Sequence, residues 1–350
     1  MKLTFRWFGD DDPVTLVQIR QIPTMSGIVS AVYDVPVGEV WPRERIAVLK
    51  AKAEAAGLAF EVVESVPVHE EIKLGGPKRD TLINAFIENI RRLARQGVKV
   101  ICYNFMPVFD WMRSELARQL SDGSTTMAYD EEQVKRLNPV EGKLSLPGWD
   151  ESYLDDGRRE VLLRYEAMDD EALWRSFEYF LSRVIPVCDQ VGIKMAIHPD
   201  DPPWGIFGLP RIITGDASYE RMFRAMPSDA NGVTLCIGSL GSNPMNDLPA
   251  IISRHARKIH FVHARNVLIT GERCFEEAPH PSGCGSLDMY AILKALYDGG
   301  FDGYMRPDHG RMVWGETGRP GYGLFDRALG ATYLAGLWEA IEKAGRRARD

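Results

Sequence analysis

Short apolar segments alternate with amphipathic helical segments along the whole of this 350-residue chain. Eight segments have the length and composition of buried strands: LTFRWFG, GIVSAVYDVP, LAFEVVESVP, VKVICYNFMP, IKMAIHPDDP, GVTLCIGSLGS, KIHFVHARN and GYMRPDHG. The helical segments between them include PRERIAVLKAKAEAAG, TLINAFIENIRRLARQG and SLDMYAILKALYDGG, and each ends on glycine, a common helix stop. Strands that alternate with helices form a parallel sheet, and eight such units predict a closed (β/α)8 TIM barrel of the α/β class.

The chain is longer than such a barrel requires. A (β/α)8 barrel takes about 250 residues, so roughly 100 residues remain for insertions. The main candidate is residues 105–167, after the fourth strand, where the pattern fits neither the strand nor the helix period for long. We predict a single domain over residues 1–350 in which this segment forms a lid over the barrel mouth. A second irregular stretch, residues 274–286, follows the seventh strand.

Composition excludes several classes of protein. The net charge is -7 and the only basic cluster is the C-terminal GRRARD, which argues against a nucleic-acid partner. No apolar run approaches the roughly 20 residues that span a bilayer, and the first residues show no signal-peptide pattern. The five cysteines form no CxxC pair, and GxGxxG is absent. We therefore expect a cytosolic protein with reduced thiols and no membrane partner.

Four residues able to bind a metal stand at the ends of four consecutive predicted strands: His198, Cys236, His263 and Asp308. Neighbouring strands lie about 4.8 Å apart, so these side chains can converge on one divalent transition-metal ion. Each has an ordinary alternative, such as a hydrogen-bonded core histidine, a small buried hydrophobe or a turn cap. Their agreement at four successive strand ends favours the metal site.

The stretch after the last strand contains further polar candidates. His309 directly follows Asp308, and a histidine there can transfer protons near neutral pH. The glycine-rich segment that follows, with Arg311 and Tyr322, is typical of a loop that closes over an anionic substrate, although Tyr322 could equally pack the loop. The strand ends and this loop supply the candidates for binding hydroxyl and carboxylate groups of a substrate: Asn104, Arg265, Asn266, Arg306 and Arg311.

Several long motifs together resemble one enzyme family. They are FRWFGDDDPVTL, GIVSAVYDVPVGEVWP, ESVPVHEEIKLG, VICYNFMPVFDWMRS, IHPDDPPWGIFGLPRI and RPDHGRM followed by RPGYGLFDRALG. Over nearly the whole chain they resemble D-mannonate dehydratase of hexuronate degradation. The resemblance implies a TIM barrel related to the xylose isomerase group. It also implies elimination of water from D-mannonate to give 2-keto-3-deoxy-D-gluconate.

The resemblance also implies a cofactor and roles for particular residues. The cofactor is a divalent metal, for which we expect Mn2+ ahead of Fe2+, Co2+, Mg2+ or Zn2+, although a thiolate ligand on softness alone favours zinc or iron. By position, the family's metal ligands fall on His198, Cys236, His263 and Asp308, and its acid/base pair on His309 and Tyr322. Which of the pair is the acid stays open. We expect a sugar-acid substrate and a homo-oligomer.

Two other functions are compatible with parts of this pattern. A metal-dependent sugar or sugar-acid isomerase or epimerase would use similar ligands on the same barrel, with more carboxylates at strand ends, and Glu64 at the end of the third strand is the residue to compare. A catalytically silent sugar-acid-binding protein would keep the arginines and lose the metal ligands. All four ligands are present, which disfavours the silent protein.

Overall fold

A computed structural model describes residues 1–137 and 155–347 of the chain. Their strands, in chain order, are β1 (Lys2–Arg6), β2 (Gly27–Ser30), β3 (Ala59–Glu64), β4 (Val100–Tyr103), β5 (Glu115–Gln119), β6 (Thr125–Asp130), β7 (Lys194–Ile197), β8 (Asn231–Cys236), β9 (Ile259–Ala264), β10 (Asn266–Gly271), β11 (Cys274–Ala278) and β12 (Tyr304–Pro307). Their helices are α1 (Leu16–Gln21), α2 (Arg43–Ala55), α3 (Glu70–Lys73), α4 (Arg79–Arg95), α5 (Glu131–Lys135), α6 (Asp155–Tyr165), α7 (Asp170–Val191), α8 (Asp216–Ala225), α9 (Ile237–Gly241), α10 (Leu248–His255), α11 (Met289–Asp298) and α12 (Phe325–Arg347).

Eight of these strands close into a parallel barrel in the order β1-β12-β9-β8-β7-β4-β3-β2. Each of the eight segments predicted as strands overlaps one of them, so the predicted TIM barrel is confirmed. The barrel closes where Lys2 of β1 pairs with Tyr304 of β12. At the carboxyl ends of the strands, Cys236 pairs in register with His263, and His263 with Arg306. The register therefore puts these three residues at one level of the barrel.

The barrel interior changes from apolar to polar towards its mouth. Its apolar layer consists of seven residues from six strands: Val29, Val62, Val100, Cys102, Ala196, Phe261 and Tyr304. Side chains of a strand alternate between faces, so the next inward position lies two residues further along. On β3, β9 and β12 that position holds Glu64, His263 and Arg306. A charged layer thus closes the apolar interior at the end where TIM barrels carry their sites.

Helix α4 shows how the sequence forms the outer ring. Its buried hydrophobic residues recur every three or four positions: Ile83, Phe86, Ile87, Ile90 and Leu93. This spacing puts all of them on one face, which packs against the barrel. The chain turns away after the helix at Gly97, which has a φ of +84°, a left-handed conformation that other residues adopt only with strain. No helix of the described residues is both long and apolar enough to cross a membrane.

A second, antiparallel sheet of four strands has the order β10-β11-β6-β5. It joins the two stretches that the sequence pattern left irregular, because Asp130 of β6 pairs with Cys274 of β11. Residues 105–167 therefore contain strands and helices that the pattern did not predict. Part of this predicted lid, residues 138–154, lies outside the described residues. The role of the segment as a lid stays a prediction.

Candidate active site

Two histidines face each other at the barrel mouth. His198 directly follows β7 and its Nε2 lies 3.1 Å from Nδ1 of His263 in β9. The other nitrogen of each ring faces an acceptor. His198 Nδ1 is 2.6 Å from the Pro199 carbonyl oxygen, and His263 Nε2 is 3.2 Å from Oε2 of Glu64. In a neutral imidazole the nitrogen that faces an acceptor carries the hydrogen, so the two nitrogens between the rings hold lone pairs. Two facing lone pairs are stabilised by a cation between them.

Sulfur and carboxylate groups complete this cluster. Cys236, the last residue of β8, accepts a hydrogen bond of 3.0 Å at Sγ from the Ser239 hydroxyl. Asp308, just after β12, lies 3.6 Å from Cys236 Sγ through Oδ2 and 3.7 Å from His263 Nδ1 through Oδ1. The four predicted ligand residues therefore meet at one place, with imidazole, thiol and carboxylate donors together.

The donor set fits a divalent transition metal. The ligand atoms of His198, Cys236 and His263 all lie within 4.8 Å of one another, and such N and S ligands suit this class of ion. Glu64, Cys102 and His263 form a second group within the same distance. Cys102 lies in the apolar layer of the barrel, and its sulfur already accepts a hydrogen bond from the Thr234 hydroxyl. The first group fits a metal better.

Glu64 is bound by protein groups. Arg306 donates to its Oε1 from Nη2 at 2.9 Å and to its Oε2 from Nε at 3.1 Å, and Arg6 Nη1 lies 2.9 Å from Oε1. Burial alone would raise the pKa of Glu64, but Arg306 and Arg6 hold the pKa well below its ordinary value. Glu64 is thus an ionised carboxylate that orients His263. Such partners of ligating histidines fix the tautomer and raise the basicity of the ring.

Asp308 is also held as a carboxylate. Arg265 donates to its Oδ2 from Nε at 2.8 Å, and Arg306 Nη1 lies 2.8 Å from Oδ1. Burial alone would raise the pKa of Asp308, but His309 and Arg306 beside it keep the pKa well below its ordinary value. Each carboxylate oxygen has two lone pairs, so these contacts leave acceptor capacity for a metal.

His309 and Tyr322, the predicted acid/base pair, are in hydrogen-bond contact. His309 Nε2 lies 2.9 Å from the Tyr322 Oη, and the two rings meet edge to face. Phe8 packs edge-on against Tyr322, and Trp111 lies against the His309 ring. Burial raises the pKa of the Tyr322 hydroxyl to about 12, so this group keeps its proton at neutral pH. Both side chains are therefore fixed beside Asp308 by packing and by each other.

The predicted substrate-binding residues occupy different surroundings. Arg306 lies at the cluster itself, with Nη2 3.4 Å from His263 Nδ1. Asn104, after β4, accepts a hydrogen bond from the Met106 amide. The Asn266 side chain accepts hydrogen bonds from the amides of Val267 and Leu287 and donates one to the Pro281 carbonyl, which ties the start of β10 to the segment after β11. Arg311 forms ion pairs with Asp326 and Asp122. Arg306 and Arg265 are nearest the metal-ligand candidates, because each lies 2.8 Å from one oxygen of Asp308.

Comparison with known proteins identifies the family. The family model of D-mannonate dehydratase (UxuA) matches residues 1–348. The chain belongs to the D-mannonate dehydratase family. A mannonate dehydratase of Streptococcus uberis is 58% identical over 348 residues, covering 99% of this chain and 100% of the relative. The crystal structure of mannonate dehydratase from Streptococcus suis serotype 2 superposes with a TM-score of 0.92 at 47% identity, covering 99% of this chain and 96% of that one. This member of the family is thus an enzyme of the hydro-lyase class, and the resemblance read from the sequence is confirmed.

More distant structures share only the fold. A xylose isomerase domain protein from Planctomyces limnophilus has a TM-score of 0.57 at 13% identity, covering 98% of this chain and 99% of that one. The relation to xylose isomerase-like barrels is therefore confirmed for the architecture.

Sequence reasoning missed a buried ionic network behind the site. Arg113 pairs with Asp201 at 2.9 Å and with Glu277 at 2.6 Å. Arg265 pairs with the same two acids at 2.8 and 2.5 Å. All four side chains are 2% exposed or less, and removing one partner of such a pair typically costs about 3–5 kcal/mol. Arg265 was predicted at a strand end, but as a substrate-binding residue, and Asp201, in the HPDDP motif after β7, carried a usable signal because acids there stand at a barrel mouth.

Proposed function

We propose that this enzyme eliminates water from D-mannonate to give 2-keto-3-deoxy-D-gluconate with the help of a divalent metal ion. The observation that carries the proposal is the His309–Tyr322 pair, which is 2.9 Å apart in a member of the D-mannonate dehydratase family. The pair lies next to the group of His198, Cys236 and His263 and to Asp308, which contacts Cys236 and His263. An elimination requires both an acceptor and a donor of protons, and this pair supplies them side by side.

The metal proposal rests on the donor set. His198, Cys236, His263 and Asp308 would hold the ion, which when bound would stabilise negative charge developing on the substrate's carboxylate and C2 hydroxyl. We propose Mn2+, with Fe2+, Co2+, Mg2+ and Zn2+ as the alternatives that elemental analysis of the purified protein distinguishes. Arg306 is our first candidate for orienting the substrate carboxylate, because its guanidinium lies against both His263 and Asp308.

We assign the two proton transfers from the protonation state of the Tyr322 hydroxyl. The C2–H bond breaks and its proton passes to His309, the base. The C3–O bond breaks as the Tyr322 hydroxyl, which keeps its proton at neutral pH, protonates the leaving hydroxide to give water. The C2=C3 enol that results takes up a proton at C3, releases the proton of its C2 hydroxyl to solvent and becomes the 2-keto acid. Tyr322 then regains a proton from solvent or from His309.

The contacts of Glu64 help to distinguish a dehydratase from a sugar or sugar-acid isomerase or epimerase. That function would use a further strand-end carboxylate as a free ligand or base. Glu64 instead accepts two hydrogen bonds from Arg306 and orients His263. A carboxylate used in this way supports the neighbouring groups, which favours the dehydratase function.

Product analysis tests the proposed function. Purified enzyme given D-mannonate and Mn2+ should form 2-keto-3-deoxy-D-gluconate, seen by mass spectrometry as the loss of one water and by NMR as a new C3 methylene. Enzyme treated with a chelator serves as the control and should form none until Mn2+ is restored. A product of unchanged mass would instead indicate an isomerase or epimerase and would overturn the proposal.

Substrate should also slow amide exchange in the predicted lid. We expect D-mannonate with Mn2+ to protect amides of residues 105–137, because a ligand bound at the barrel mouth would disfavour local opening of a segment that covers it. Hydrogen exchange with mass spectrometry measures this, and α2, on the outside of the barrel, is the internal control. Equal protection with and without substrate would contradict a lid function for this segment.

A further inference from the structure

The imidazole of His309 is held from two sides. Its Nε2 faces the Tyr322 hydroxyl, and its Nδ1 lies 3.3 Å from Oε1 of Glu277. Glu277 belongs to β11, in the four-stranded sheet, and not to the barrel. Through this carboxylate the four-stranded sheet reaches the imidazole of His309 directly.

Glu277 is an acceptor with no hydrogen to give. Arg113 donates to its Oε1 from Nη2 at 2.6 Å, and Arg265 donates to both oxygens from Nη1. Burial alone would raise the pKa of Glu277, but Arg265 and Arg113 lower the pKa to about 2. Against a group that only accepts, His309 must carry its hydrogen on Nδ1. The Nε2 atom of the neutral ring then holds the lone pair.

We propose that Glu277 is the positioning residue for His309. Glu277 fixes the hydrogen of His309 on Nδ1, so the basic Nε2 faces the reacting proton and the Tyr322 hydroxyl. The four-stranded sheet thus contributes a positioning residue to the active site. The proposal rests on the proposed function of His309 as the base. A buried carboxylate plays the same part for the histidine of the Ser-His-Asp triad, where losing it leaves the wrong tautomer.

Asp201 provides a matched control. It pairs with the same two arginines, Arg113 and Arg265, and is equally buried, but it makes no hydrogen bond to His309. If Glu277 only balanced the charge of the arginines, Glu277→Gln and Asp201→Asn would damage the enzyme alike. If Glu277 positions His309, only Glu277→Gln will change the tautomer of the His309 imidazole.

Kinetics give the first measurement. We expect Glu277→Gln to lower kcat at least about tenfold below that of Asp201→Asn with KM little changed, because a misplaced base slows the chemical step without weakening binding. Glu277→Asp keeps the charge beside the arginines and withdraws the oxygen from His309. If Glu277→Gln fails to fold, Glu277→Asp takes its place, because it keeps the charge balance of the arginines. Glu277→Asp should show the same loss of kcat. Equal kcat in Glu277→Gln and Asp201→Asn, or wild-type kcat in Glu277→Asp, would overturn the proposal.

Nitrogen NMR of 15N-histidine-labelled protein gives a second measurement that does not depend on turnover. The protein is loaded with Zn2+, which is diamagnetic and accepts imidazole and thiolate ligands, and the His309 signals are identified by their loss in His309→Gln. Wild type and Asp201→Asn should show the Nδ1–H tautomer, and Glu277→Gln should show a changed tautomer or a mixture. An unchanged Nδ1–H tautomer in Glu277→Gln would refute the inference. Absence of turnover in the wild type would instead refute the proposed function, and the tautomer would still report on Glu277.

Discussion

His309→Gln should lower kcat for D-mannonate by about 10²–10⁴-fold, the usual loss for a missing general acid or base. Bound metal should stay at the wild-type level, because His309 contributes no atom to the proposed ligand set and its neighbour Asp308 keeps both of its arginine contacts. Steady-state kinetics and metal analysis of the same preparation measure the two quantities. A loss of rate with full metal occupancy is the result that separates a proton carrier from a ligand.

Two further variants serve as comparisons for His309→Gln. Tyr322→Phe removes only a hydroxyl and should resemble His309→Gln, with each variant losing one limb of the wild-type pH–rate profile. Asp308→Asn removes an anionic ligand, so metal affinity should fall together with rate. If His309→Gln instead lost metal and regained its rate when metal was restored, His309 would be a ligand, and the base would have to be another residue.

Removing a proposed ligand should have the second large effect. His198→Ala, Cys236→Ala, His263→Ala and Asp308→Ala should each abolish measurable turnover and lower the metal content of the purified protein. For the histidines the cause is direct, because each offers an imidazole lone pair to the space between the rings. Metal content is measured by elemental analysis after dialysis against trace-metal-free buffer.

Cys102→Ala is the matched control for Cys236→Ala. Both substitutions remove one buried sulfur from the barrel, but the Cys102 sulfur lies in the apolar interior and accepts a hydrogen bond from the Thr234 hydroxyl. We expect Cys102→Ala to keep its metal. Full occupancy in two or more of the four ligand variants would exclude the four-ligand site, and loss of metal in Cys102→Ala would favour the group that contains Glu64.

The barrel and its ligand cluster were predictable from local patterns. Each strand is a short apolar run ended by turn residues, and parallel strands bring their carboxyl ends to one rim. Chain order alone therefore brings His198, Cys236, His263 and Asp308 together. No pairing between distant segments had to be known.

The ionic support behind the cluster was not predictable in this way. Glu277 reaches His309 only because β11 pairs with β6, a strand from the other insertion. The strands of this sheet are as long as those of the barrel, but β5, β6 and β11 have the sequences ELARQ, TTMAYD and CFEEA, which contain charged residues and no long apolar run. The sequence pattern therefore gave no sign of these strands. Arg113 stands in the same irregular segment, and nothing in its sequence surroundings indicates that its side chain is fully buried.

The pairing of β6 with β11 has a consequence for synthesis on the ribosome. The hairpin of β5 and β6 emerges early, whereas its partner at Cys274–Ala278 follows only after most of the barrel has been made. At about 5–20 residues per second, the free edge of β6 waits on the order of ten seconds for its neighbour. Its sequence TTMAYD has no proline or lysine to block pairing with another chain. We expect this edge to be the point at which nascent chains aggregate when translation slows, and the point at which a chaperone would protect the yield of folded enzyme.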